Sequence, residues 1–303
     1  MKSRLSRSCV FDTHRNIVKV LFHGQLDLST RYYIDMEWCD LNLDHYIQGN
    51  WTKEIKLSAP FFIESPTCEQ WIFAISLITQ HILRGLVFIH GQREVHRDLK
   101  PNNGRYRELL SLTLVFFCSA DGNWKIGDFG FVRAGSSVVA KQSLFGHGTA
   151  GYRAFELLRE IDGNFTNKVD IFALGCIIFE MVTKKQAFCG DWDVREYALS
   201  QPPTPLNVEF AVPVDEAFRS LFVTIIHETL RSDPSSRPSA RGLLREIVNP
   251  LVQHLESAAI RKGISIHPFS LLASSFNCPV GDVSWRAFAR VSREDSRALA
   301  ATC

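Results

Sequence analysis

Three short segments hold the residues whose types and spacing invite a chemical reading. Residues 96–103 read HRDLKPNN, which places a carboxylate at Asp98, an ammonium at Lys100 and an amide at Asn103. Residues 128–130 read DFG and add a second carboxylate, Asp128. Residues 148–158, GTAGYRAFELL, supply a hydroxyl at Thr149 and a further acid at Glu156. Asn103 and Asp128 carry hard oxygen atoms of the kind a small divalent cation takes. Asp98 and Lys100 set an acid–base group and a fixed positive charge two residues apart. Taken singly, each of these is ordinary: a lone Asp in a loop is usually a solvated turn residue, a lone His such as His96 packs or caps, Met36 is core-like in any fold, and loop serines such as Ser143 are common.

Such residues need elements to hold them. Residues 16–22 (NIVKVLF) and 32–38 (YYIDMEW) are short and rich in β-branched and aromatic side chains, and read as two strands joined by a loop. Thr67 and Gln70 predict a capping-box start for a helix running to about His90. Along it Trp71, Ile75, Ile78, Ile82 and Leu86 recur at spacings of three and four, so one face is buried. Residues 124–126 read as a strand after the turn at Asp121-Gly122. Residues 169–183 are apolar nearly all round, as in a helix at the centre of a domain. Residues 218–230 and 240–252 are amphipathic helices. The chain is therefore α+β, strand-rich early and helical later.

The 303 residues allow one large domain or two ordinary ones. At 46% hydrophobic and 22% charged, the composition is that of a globular chain. A net charge of +2 gives no electrostatic reason to expect nucleic acid. No apolar run reaches the ~18 residues of a membrane span; residues 109–120 and 169–183 are too short. Residues 1–8 are basic with no apolar stretch after them, so no secretory signal is expected. The eight cysteines show no CxxC and no Cys/His ligand spacing, against a zinc site or disulfide framework; Cys39, Cys176 and Cys189 read as packing residues. A reduced, cytoplasmic (or also nuclear) setting is the simplest expectation. Nothing in the sequence specifies an oligomeric state.

In this order, and followed by NKVDIFALGCIIFEM at 167–181 and DPSSRPSA at 233–240, the three segments resemble the catalytic loop, the metal-binding loop and the activation-segment end of eukaryotic Ser/Thr protein kinases. The resemblance runs over roughly residues 14–252. It implies a protein-kinase-like fold, with a β-rich small lobe on a mainly helical large lobe. It also implies transfer of the ATP γ-phosphoryl group to Ser/Thr hydroxyls of protein substrates, with Mg²⁺. On that resemblance Asp98 is the catalytic base, Lys100 offsets the charge of the transferring group, Asn103 and Asp128 hold Mg²⁺, and Thr149 touches Asp98 and Lys100. Met36 is the gatekeeper, and the backbones of Glu37 and Cys39 meet the adenine edge. Val20, His96 and Phe129 match an apolar column linking the lobes. Arg97 and Arg133 match a basic pair that binds an activation-loop phosphate, with Ser143 the best-placed acceptor and Ser136 and Ser137 as alternatives. Glu156 and Arg237 match a buried ion pair, Asp170 a ligand of the catalytic-loop backbone, and Phe131 a preference for serine acceptors.

The sequence departs from the pattern in three places. Before Glu37 it has one glycine, Gly24, no glutamate, and only Lys2 and Lys19, so a Gly-rich loop and a strand Lys paired with a helix Glu are missing. Residues 104–114 (GRYRELLSLTL) make the gap between Asn103 and Asp128 roughly ten residues longer than the family leaves, an insertion or a translated intron. Phe155 stands where the family has proline, with Phe172 a milder change from Trp. The expected organisation is a small-lobe remnant at 1–38, the hinge and large lobe at 39–252, and a partly disordered tail at 253–303. Residues 51–66 are expected to form a family-specific loop. Two functions follow: a Ser/Thr kinase impaired in the chain as written, or a non-catalytic kinase-like protein that binds partners.

Overall fold

The computed structural model describes residues 14–25, 32–39, 41–49, 67–101, 116–118, 122–135, 141–142, 148–158, 164–200 and 205–261. Residues 51–66, residues 104–114 and the chain beyond Arg261 lie outside them.

The first element is a two-stranded antiparallel ribbon, β1 (Val20–Gln25) with β2 (Tyr32–Met36), bulged between Val20 and Phe22. Both strands start or stop elsewhere than the alternation of residue types predicts. Asn16, Ile17 and Val18 do not join β1, because their apolar pair is buried in the large lobe. There Val18 N donates to Ile126 O and Ile126 N to Asn16 O, each at 2.9 Å, and Asn16 Nδ2 donates to Trp124 O. At the other end β2 stops at Met36, whose side chain is exposed rather than core-like.

Next come β3 (Leu41–Asn42) and α1 (Leu43–Gln48), capped by the Asn42 side chain on His45 N and closed by Gly49 at φ 69°. The long helix α2 (Cys68–Gly91) begins with the capping box its sequence predicts. Thr67 Oγ1 accepts from Gln70 N, and Gln70 Oε1 accepts from Thr67 N. At 24 residues α2 is the one described helix long and apolar enough to cross a membrane, a candidate the sequence reading did not raise; 67% of its most apolar window is buried inside this fold.

A three-stranded sheet joins β3, β5 (Phe116–Cys118) and β6 (Trp124–Ile126). Two small pairs follow: β4 (Glu94–Val95) with β7 (Arg133–Ala134), and β8 (Lys141–Gln142) with β9 (Asn164–Phe165). The centre of the large lobe is α3 (Lys168–Thr183), buried on every side, as its unbroken apolarity requires. It packs against α2 and α5 (Glu216–Thr229), while α4 (Asp191–Leu199) packs on the turn at Phe155–Leu158. Gly175 lets α3 approach α5 closely: a methyl group there would lie 2.8 Å from Leu230 Cδ2. The final helix is not uniform. A short α6 (Ala240–Leu243) passes through a π turn at Leu244–Val248 into α7 (Asn249–Arg261). Pro250 has no N–H for the i−4 carbonyl, and the widened turn takes up the change, with Asn249 N donating to Leu244 O.

Candidate active site

The site forms where the loop after β4 meets the loop after β6. Asp170, near the start of α3, organises the first. Its Oδ1 accepts from Arg97 N at 2.8 Å, and its Oδ2 accepts from His96 N and from His90 Nε2, each at 2.9 Å. Burial alone would raise this carboxyl, but the His90 bond and the nearby His90 and His96 rings outweigh it and hold Asp170 below the ordinary range. The clamp accommodates a strained residue: Arg97 sits at φ 71°, a left-handed conformation uncommon for a long side chain. Its guanidinium is buried, donating to Phe131 O and stacking on Phe165 at 4.9 Å.

That turn presents Asp98 and Lys100, each 4% exposed. Lys100 Nζ donates to Asp98 Oδ2 at 2.8 Å and to Thr149 Oγ1 at 2.5 Å, and Thr149 Oγ1 donates to Asp98 Oδ1 at 2.7 Å. The three side chains close a ring of hydrogen bonds, all three charge-assisted. Thr149 reaches the ring because Gly148 turns at φ 100° so close to the Arg97 carbonyl that a Cβ would lie 2.8 Å from it.

Asp128 faces this ring from the second loop. It too is left-handed, φ 53°, and caps a 3₁₀ turn (Phe129–Phe131) through Gly130 N on Oδ1 at 3.3 Å. Oδ2 is buried and has no hydrogen-bond partner. Burial pushes the carboxyl upward; His96, the Gly130 amide and Lys100 pull it down, and the Asp98 charge pushes it up again. Asp98 and Asp128 are thus near enough to feel each other. His96 locks the two loops together, donating from Nε2 to Gly127 O at 2.8 Å and meeting the Phe129 ring edge-on at 5.6 Å. A buried carboxylate oxygen without a donor costs about 1–3 kcal/mol, and a hard divalent cation is the ligand that such an oxygen suits.

The remaining candidates fall as follows. Asn103 and Ser143, like Ser136 and Ser137, lie outside the described residues. Glu156 and Arg237 form a bidentate pair at 2.7 and 2.9 Å, with Arg237 also stacked on Phe172 at 5.0 Å. Phe155 opens a 3₁₀ turn (Phe155–Leu158) that carries Glu156, so the turn forms without the proline. Arg133 donates to Val132 O and pairs across the strands with Val95, two residues before Arg97. Cys176 is buried and Cys39 partly so, whereas Cys189 is exposed rather than packed. Val20 is half-buried. Met36, Glu37 and Cys39 lie together at the junction of the ribbon with the large lobe, where Glu37 N donates to Lys19 O.

Sequence reasoning missed four contacts. His90 supports Asp170 from the end of α2. Tyr152 donates to Glu180, and burial pushes both groups upward. Arg153 pairs with Asp191 at 2.5 Å. Lys125 holds Glu37. Each pair joins residues far apart in sequence: Asp170, Glu37 and the 148–158 segment holding Tyr152 and Arg153 carry a signal of their own, but their partners His90, Lys125, Glu180 and Asp191 carry none.

A two-stranded ribbon thus precedes a helical lobe in which two loops bring the carboxylates of Asp98 and Asp128 together. The description "Protein kinase domain" matches residues 6–248, and the chain belongs to that family. It is 30% identical over 241 residues to the serine/threonine-protein kinase Nek3 of Mus musculus, covering 79% of this chain and 40% of that protein. It is 31% identical over 197 residues to the eIF-2-alpha kinase GCN2 of Mus musculus (59% of this chain, 11% of that protein). It is 33% identical over 205 residues to the mitogen-activated protein kinase 4 of Rattus norvegicus (64% of each). The chain therefore spans less than two-thirds of the length of each of these relatives.

Proposed function

We propose that this protein is an ATP- and Mg²⁺-dependent Ser/Thr protein kinase acting on protein hydroxyls in the cytoplasm. The observation that carries the reading is the buried Asp98–Lys100–Thr149 ring facing a carboxylate with an unpartnered oxygen. Asp98, its two oxygens fixed by Lys100 and Thr149, keeps lone pairs free to orient an alcohol and accept its proton. Lys100 supplies positive charge beside the acceptor. Asp128, with Asn103, would hold Mg²⁺, which supplies charge neutralisation on the nucleotide phosphates. The backbone of Glu37 and Cys39 takes the adenine edge.

Upstream of Glu37 the 303 residues carry one glycine and no glutamate. That favours a second reading, a non-catalytic kinase-like binding protein, and, on the kinase reading, slow turnover by this polypeptide. The test is incorporation of γ-labelled phosphate into a mixed Ser/Thr-rich protein. The expected result is slow, Mg²⁺-dependent labelling on Ser/Thr that Asp98→Asn abolishes. No labelling and no nucleotide binding would favour the second reading, and rapid labelling would overturn the slow turnover.

A further inference from the structure

Among the described residues, two contacts tie the ribbon and its lead-in to β6. At the lead-in to β1 the contact is made largely by backbone: Asn16 and Val18 bond to Ile126. At the end of β2 it is made by side chains. Lys125, in the middle of β6, is 9% exposed, and both Glu37 carboxylate oxygens lie 2.8 Å from its Nζ. Glu37 Oε1 also accepts from Lys19 N at 2.7 Å, while Glu37 N donates to Lys19 O at 2.9 Å. Residue 37 is therefore fixed to the start of β1 and to β6 at once. A buried ammonium requires such a partner, and this one stands three residues before Asp128.

We propose that Glu37 and Lys125 are positioning residues for nucleotide: a strut that sets the separation between the adenine-facing end of β2 and the metal-facing Asp128. The inference rests on the nucleotide reading above. Neither side chain touches phosphate or the reacting atoms. A strut makes the two halves of the nucleotide bind as one ligand, because the nucleoside half pre-sets the place of the phosphate half. Its loss leaves each half-site intact and uncouples them. The backbone contact at residues 16–18 remains, so the ribbon keeps an attachment to β6 without the strut.

The experiment measures adenosine and Mg-ADP binding to the full chain by calorimetry, for wild type, Lys125→Met, Lys125→Gln and Lys125→Arg. The expected result is adenosine affinity unchanged within about twofold, while the gain in affinity from adenosine to Mg-ADP falls roughly tenfold in Lys125→Met and Lys125→Gln. Lys125→Arg, which keeps the ion pair, retains most of that gain. Equal weakening of both ligands would make the pair merely structural and overturn the strut, as would no change in either. Lys125→Gln carries the test alone if Lys125→Met does not fold. A wild-type chain that binds neither ligand overturns the nucleotide reading itself and the strut with it.

Discussion

The Thr149 hydroxyl lies 2.7 Å from Asp98 Oδ1 and donates to it, across 51 positions of sequence. This bond ties the turn at residues 148–150 to the loop at 96–100, so Asp98 is oriented only when residues 148–150 are in place. Thr149→Val removes the donor. Whatever phosphoryl transfer the chain supports should fall by about tenfold, equivalent to ~1.4 kcal/mol of barrier, while Thr149→Ser retains it. Steady-state kinetics with an unchanged melting temperature would establish the effect, and equal rates in Thr149→Val and wild type would remove Thr149 from the site.

The Glu156–Arg237 pair is buried, with the Arg237 side chain 0% exposed. Breaking one side leaves a charge without its partner, so Arg237→Met should cost about 3–5 kcal/mol. The double variant Arg237→Met/Glu156→Gln should recover part of that loss. Urea unfolding of the three proteins measures it; additive losses would show that the pair is not coupled.

Gly175 has no room for a side chain. Gly175→Ala forces the new methyl against Leu230 and Thr229, and overpacking of this kind costs roughly 1–3 kcal/mol. The midpoint of thermal unfolding should fall accordingly, and an unchanged midpoint would mean that α3 and α5 separate freely.

Asp170 is held below the ordinary carboxylate range. A carboxyl with a depressed folded value stabilises the fold above its unfolded value of ~3.9, and that contribution is lost as pH falls towards the folded value. Asp170→Asn should therefore be less stable at pH 7, on the order of 3 kcal/mol, and should lose less stability than wild type between pH 5 and pH 3. Parallel acid limbs in the two proteins would contradict this.

The unpartnered Asp128 oxygen predicts a dependence on divalent cation. Mg-ADP at a hundredfold over its Kd should stabilise the chain by about 2.7 kcal/mol, and chelation with EDTA should remove most of this. Asp128→Asn should bind ADP with no benefit from Mg²⁺. A melting curve indifferent to EDTA would deny Asp128 its role.

Much of this was legible before any coordinates, because the informative signals were local. The Thr67–Gln70 capping box and the all-apolar run at 169–183 each specify their own element. The motif residues Asp98, Lys100, Asp128 and Thr149 come from three separate segments, and the fold gathers them. What escaped was tertiary. Residue type could not show that Ile17 and Val18 leave β1 to dock on β6, since β-branched residues suit a strand and a core equally. Nothing local singles out Lys125, because its partner lies 88 positions away. The π turn depends on how Pro250 is accommodated within a continuing helix, and an amphipathic pattern does not encode that choice.

The bond between Gln80 and Asn249, which joins α2 to the last helix, spans 169 positions. During synthesis, at ~5–20 residues per second, the oily flank of α2 would leave the ribosome roughly ten to thirty seconds before the segment that shields it. For that interval a stretch apolar enough to suit a bilayer stands unprotected. The nascent protein is therefore expected to depend on chaperone holding, and slowing translation between these two helices should lower its soluble yield more than slowing it after residue 261.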